Sequence, residues 1–198
     1  MKQTCLNELP PTDDCRTIFG SFPTGVTVVT APGASGDPVG MAINSFTSLS
    51  LDPLLVLICV GKNSSTWPAI EESGQFCVNV LAEDQAELAL RFAAKDNSRF
   101  EGVNLRSSVI GSPILTESLA FIDCKILRID PGGDHWIVVG TVVEMASLRE
   151  ASPLIFSFGV CQPPQSLASS RTFMEGGSYG SNVLATNRAS AGWQSVDE

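Results

Sequence analysis

At 198 residues, with 43% hydrophobic and 17% charged side chains, the chain can bury one sizeable core and is too apolar to be a disordered polyelectrolyte. Its 21 acidic and 12 basic side chains leave a formal charge of −9. That balance argues against a general nucleic-acid binder or an acidic-lipid binder, because both need a basic face. Residues 1–12 read as a flexible, polar N-terminus, and Asp13 or Asp14 is placed to cap a short helix through Phe19. Residues 25–30 alternate and are rich in β-branched side chains, residues 31–37 form a turn cluster, and 38–46 resume the extended pattern. The continuous apolar run 54–60 predicts a strand buried on both faces. Residues 64–73 predict a helix with hydroxyls at its start, Pro68 in its first turn and Gly74 after its end. A strand is expected over 76–81, then a helix over 83–95 with Ala86, Leu90 and Ala93 on one stripe, Asp84 near its start and Lys95 at its end. Strands follow at 120–129, 136–146 and 154–158, the first two joined by a hairpin loop over 130–134. Pro163 and Pro164 stop the last strand, and residues 163–198, with Tyr179 and Trp193, read as a polar, mobile tail. The pattern predicts one mainly β domain over 13–162, a β-barrel with a few helices.

Six cysteines stand at 5, 15, 59, 77, 124 and 161 with wide spacings and no C-x-x-C pair, so free thiols are expected. Lys2 leads into a polar stretch, not an apolar leader. The longest apolar run, 54–60, is about a third of a membrane span. The expectation is a soluble, cytoplasmic protein. No G-x-G-x-x-G, Walker lysine loop, G-x-S-x-G elbow or H-E-x-x-H occurs. The single histidine, His135, has no nucleophile near it in sequence, and one His leaves little room for a His-rich metal site. Hydrolysis is disfavoured.

Two polar clusters stand out. The first, within Gly40-Met-Ala-Ile-Asn-Ser-Phe-Thr-Ser-Leu-Ser-Leu-Asp-Pro53, sets Asn44, Ser45, Thr47, Ser48 and Ser50 between apolar strands. It reads either as a connection whose hydroxyls form turns or as a donor-rich lip for the polar edge of a flat cofactor. The second, Lys62-Asn-Ser-Ser-Thr66, immediately precedes a helix. Lys62, Ser64, Ser65 and Thr66 there suggest an anion site, since ordinary capping accounts for only one of those hydroxyls.

Phe22-Pro-Thr-Gly-Val-Thr-Val-Val-Thr30, Val39 through Pro53, Ser65-Thr-Trp67, Phe76-Cys-Val-Asn-Val-Leu81 with Gln85, Arg91-Phe92, and Gly133-Asp-His135 followed by Val139-Gly-Thr-Val142 closely resemble the short-chain flavin reductases. These are the reductase components of two-component flavin-dependent monooxygenases. The resemblance runs in order from about residue 16 to residue 159, roughly three-quarters of the chain. It implies a split β-barrel of Greek-key type, a homodimer, and FMN or FAD bound without a Rossmann domain. It implies NADH or NADPH as hydride donor and a partner monooxygenase that receives reduced flavin. Residues 44–50 would line the isoalloxazine and phosphate, residues 62–66 would hold the ribityl phosphate end, and Gly25 and Asn79 join the flavin-binding set. His135 would lie beside the nicotinamide, its tautomer fixed by Asp134. Hydride transfer between cofactors needs no protein acid or base, so no catalytic side chain is singled out. The competing expectation is a module that retains FMN as an electron carrier or sensor without NAD(P)H turnover.

Overall fold

The computed structural model describes residues 11–94 and 98–164, except for the side chains of residues 12 and 13. The expectations for the first ten residues, Cys5, Lys95 and the tail with Tyr179 and Trp193 fall outside the described residues. In chain order the elements are α1 (Thr12–Gly20), β1 (Thr24–Gly25), β2 (Thr27–Pro32), β3 (Pro38–Ile43), β4 (Thr47–Leu51), β5 (Leu54–Gly61), α2 (Trp67–Ser73), β6 (Gln75–Val80), α3 (Ala86–Ala93), β7 (Leu105–Ser107), β8 (Pro113–Leu115), β9 (Ala120–Gly132), β10 (His135–Ser147), β11 (Ile155–Ser157) and β12 (Val160–Gln162). The protein is mainly β.

Seven strands form one antiparallel sheet in the order β3-β2-β6-β9-β10-β5-β4. Laid flat, its edge strands would stand about 29 Å apart at the usual inter-strand spacing. Yet β3 and β4 are joined by residues 44–46 alone, a link that reaches about 14 Å when fully extended. The sheet must therefore curl until its two edges meet at that corner. Because β3 and β4 share no ladder, the result is a split barrel.

Alternation along the strands fills the interior. Val29, Val56, Ile58, Val60, Phe76, Val78, Cys124 and Val138 point inward, and Trp67 and Ile70 of α2 close one end. Gly74, at φ 68°, stops α2 in the left-handed region where glycine carries no steric cost. A second apolar layer sets Ala89 and Phe92 of α3 against Val28, Leu81, Leu115 and Leu154. Gly140 faces the interior where a Cβ would come within 2.6 Å of Phe76 Cζ.

Several elements differ from expectation. Pro11, not Asp13 or Asp14, occupies the position before α1, and Asp14 lies inside the first turn. The run 54–60 is not buried on both faces: Val56, Ile58 and Val60 are buried while Leu55, Leu57 and Cys59 are half-buried. An antiparallel sheet with one face outward gives that alternation. The polar segment after Phe46 is partly a strand, β4, with a bulge between Ser48 and Ser50. Helix α3 starts at Ala86 and buries Ala89 and Phe92, so the stripe is displaced and Leu90 is exposed. The hairpin loop shrinks to Gly133 and Asp134, because β9 runs to Gly132 and β10 starts at His135. Gly133 sits at φ 71°, the first central position at which a type II′ turn needs glycine. The five described cysteines are free thiols. No helix among the described residues is long and apolar enough to cross a membrane.

Candidate functional site

A cleft of about 360 Å³ opens where the end of β3, the end of β5, the turn before α2, the segment after α3 and the hairpin tip converge. The split creates it, and Ser45 holds its corner. The Ser45 hydroxyl donates to the Cys59 carbonyl at 2.7 Å and accepts the Cys59 N–H at 3.1 Å, replacing the rung that a closed barrel would have made with backbone. Asn44 Nδ2 donates to Thr24 Oγ1 at 3.2 Å. On the opposite wall, Ser64 Oγ accepts the N–H groups of Thr66 and Trp67, each at 3.3 Å. The same hydroxyl contacts Met41 Sδ at 3.4 Å. Ser64 thus acts as the capping group, while Ser65 and Thr66 line the cleft.

The strongest electrostatic feature is one that sequence reasoning missed. Arg99 lines the cleft, donating through Nη1 to Gly40 O at 2.9 Å and Thr66 Oγ1 at 3.0 Å. Its Nε is buried and has no hydrogen-bond partner among the described residues. Packing puts it there. Gly40 has no Cβ to meet Phe92 and Phe100, whose rings would lie 3.0 and 3.1 Å from one. Those two rings pack edge to face on β3, with centroids 4.9 Å apart. Arg99 and Phe100 are neighbours in the chain, so this packing carries the guanidinium to the cleft. Its partner Thr66 is 33 residues away in sequence, a distance at which no spacing rule signals contact. Asn63 also lines the cleft and belongs to a cluster that the sequence did mark out.

His135 borders the cleft from the hairpin tip. Its Nδ1 lies 2.7 Å from Asp134 Oδ1. That hydrogen bond and the imidazole's charge hold the Asp134 carboxyl below the usual carboxylate range, with a smaller contribution from Lys62. Lys62 itself points elsewhere: its ammonium sits 4.6 Å from the Trp136 ring centroid, a cation–π contact.

The structure therefore brings together Asn44, Ser45, Ser64, Ser65, Thr66 and His135. The other singled-out residues stand apart from the cleft. Gly25 pairs with Ile155 in the small sheet. Thr47, Ser48 and Ser50 lie along β4. Asn79 is fully buried, where Nδ2 donates to Val28 O and Thr30 Oγ1 and Oδ1 accepts the Leu115 N–H. It ties three strands together and has no path to a ligand. That is a correction: the motif containing it is structural at this position, because a buried amide with its bonds made is unavailable.

Chemically, the cleft offers hydroxyl and amide donors and one guanidinium beside apolar walls from Met41, Ile43, Val60 and Phe92. Such a site suits a flat ring system with an anionic end. The Arg99 guanidinium, tied through Nη1 to Thr66, and the hydroxyls beside it fit the phosphate of a flavin. Comparison with known proteins shows the family. Residues 19–164 match the family model for the flavin reductase like domain. The chain is 50% identical over 144 residues, 73% of each chain, to the reductase subunit HsaB of a flavin-dependent monooxygenase from Rhodococcus jostii. It is 41% identical to an NADH-dependent FAD reductase from Streptomyces globisporus, covering 73% of this chain and 81% of that one. The crystal structure of nitrilotriacetate monooxygenase component B from Mycobacterium thermoresistibile superposes with a TM-score of 0.76 at 39% identity, covering 87% of this chain and 93% of that one. The chain belongs to the family of flavin reductase like domains.

Proposed function

We propose that the protein is an NAD(P)H:flavin oxidoreductase that reduces FMN or FAD and supplies the reduced flavin to a partner monooxygenase. The observation that carries this reading is the pairing of a guanidinium and four hydroxyl-bearing residues with an apolar wall in one cleft. The names of the relatives, a reductase subunit of a flavin-dependent monooxygenase and an NADH-dependent FAD reductase, support the same chemistry. The chemistry supplied there by the bound cofactors is hydride transfer from reduced nicotinamide to flavin, which needs no protein acid or base. The chain's task is to bind and orient. Arg99, Ser65 and Thr66 receive the phosphate end. Asn44 and the backbone beside Ser45 face the polar edge of the ring, and Met41 and Phe92 shield its apolar part. His135 contacts the nicotinamide carboxamide, with Asp134 holding its ring.

The outward face of β5 carries half-buried Leu55 and Leu57, with Val139 of β10 paired to Leu57. An apolar surface of that kind favours a homodimer, in a cytoplasmic setting. Mixing the purified protein with NADH or NADPH and FMN or FAD, and following the nicotinamide absorbance band, tests the activity. Flavin-dependent loss of that band is expected. A yellow protein that leaves NADH and NADPH untouched would instead be an FMN-retaining carrier. Light scattering of the eluted protein tests the dimer, and a monomer at micromolar concentration would overturn it.

A further inference from the structure

A second cavity, of about 480 Å³, falls in the size range of small-molecule sites and shares no lining residue with the flavin cleft. It lies against the start of α3 and the segments around residues 102–104 and 115–117. Gln85 lines it and is only 9% exposed. The Gln85 Oε1 accepts the Ala82 N–H at 2.9 Å, which fixes how the amide is turned. Its Nε2 is left with no partner among the described residues and is not sealed off from the cavity. It is therefore a fixed donor open to an acceptor carried into the cavity.

The surrounding charges define the rest of the ligand. Arg91 donates through Nη1 to Glu101 O at 2.9 Å and keeps the remainder of its fork for the cavity. Glu87, one turn earlier on α3, makes no ion pair among the described residues. Glu117 Oε1 accepts from Asn104 Nδ2 at 2.8 Å, and its charge also acts on Arg149. Asp84 is already matched by Arg149. Leu88, Val103 and Leu115 supply an apolar wall. The lining thus combines side-chain donors, carboxylates and an apolar surface.

We infer that this cavity binds a free α-amino acid with an apolar side chain. Its carboxylate meets Gln85 Nε2 and Arg91, its ammonium meets Glu87 and Glu117, and its side chain lies on Leu88, Val103 and Leu115. A simple carboxylic acid would face the carboxylates without a compensating charge, and a simple amine would leave the Gln85 donor unsatisfied. The inference does not depend on the reductase activity, because the two cavities have separate linings.

Calorimetric titration of the full-length protein with L-phenylalanine, phenylacetate and phenethylamine tests it. Saturable one-to-one binding of phenylalanine is expected, with each of the other two at least roughly tenfold weaker for the lost polar contacts. Gln85→Glu keeps an oxygen for the Ala82 N–H but removes the donor, and should weaken phenylalanine binding by about tenfold or more. Glu87→Gln alters an exposed helix position and should weaken it about threefold or more. Flavin affinity serves as the folding check in both variants. No saturable binding of phenylalanine, equal binding of all three compounds, or unchanged affinity in Glu87→Gln would each overturn the inference.

Discussion

Arg99 lines the cleft and holds two oxygen acceptors with one nitrogen, Nη1, so the guanidinium charge is fixed where an anion would enter. Arg99→Ala should raise the flavin dissociation constant roughly 10- to 150-fold, the equivalent of about 1.5–3 kcal/mol for a hydrogen bond to a charged group. Flavin fluorescence quenching reads this directly. Ser50→Ala is the natural control, since Ser50 lies on β4 outside the cleft, and its affinity should stay within about twofold of the parent. An Arg99→Ala protein with parental affinity would move the phosphate out of this part of the cleft. At His135, the hydrogen bond between Nδ1 and Asp134 fixes the ring and leaves Nε2 for a carboxamide. His135→Ala should therefore raise the KM for NADH or NADPH with little change in kcat, the pattern of lost uniform binding, and flavin titration should be unaffected. Steady-state kinetics decide it, and parental KM values would return His135 to an ordinary exposed turn residue. The contrast between these two residues shows what was legible. Ser64, Ser65, Thr66 and His135 announce themselves by local clustering or by a turn motif, whereas Arg99 reaches Thr66 only because Phe92 and Phe100 pack on Gly40. Asn79 illustrates the reverse error: its motif is visible, but the layer that buries it is not.

Among the elements, the β-rich pattern and the hairpin between β9 and β10 were readable from alternation and turn residues. Edges were harder. β4 is an edge strand with a bulge, and its polar side chains disguise it as a loop because an edge strand tolerates them. β5 reads as doubly buried because leucines fill both faces, although only Val56, Ile58 and Val60 enter the core. The tightest element contact is at Gly140 on β10, where a Cβ would stand 2.6 Å from Phe76 Cζ and 3.0 Å from Cys124 Cβ. Gly140→Ala should destabilise the fold by about 1–3 kcal/mol through overpacking. For a domain of this size that is a fall in Tm of roughly 3–10 °C. Phe76→Leu in the same chain should recover part of the loss, because it withdraws the clashing ring atoms, and a double-mutant cycle by thermal melting measures the coupling. Additive losses would mean that the sheet, and not Phe76, gives way.

For the molecule as a whole, the outer layer formed by β7 and β8 was not legible, since three-residue strands carry too little periodicity to register. That layer covers polar side chains on the outside of the barrel, and with them Asp123 of β9, which is fully buried. Burial raises the Asp123 carboxyl above the usual range, the hydroxyls of Ser108 and Ser112 offset part of the rise, and Glu144 adds to it. On the opposite face of β9, burial in the barrel interior, together with Asp123, pushes the Cys124 thiol up to about 12. The sign of the pH dependence follows from linkage. A carboxyl whose native pKa lies above its unfolded value binds its proton more tightly when folded, so its contribution to stability falls as pH rises from the unfolded pKa through the native one. Asp84 acts in the opposite sense: its hydrogen bond to Arg149 lowers its native pKa, and that contribution is lost as pH falls. Asp123→Asn removes the ionisation while keeping the side chain's shape, so it should melt higher than the parent at about pH 7.5, and the gap should close as pH approaches about 4. Melting curves of both proteins across that range are the measurement. A gap that stays constant with pH would show that Asp123 titrates alike in the folded and unfolded chains, and that the layer over it admits water.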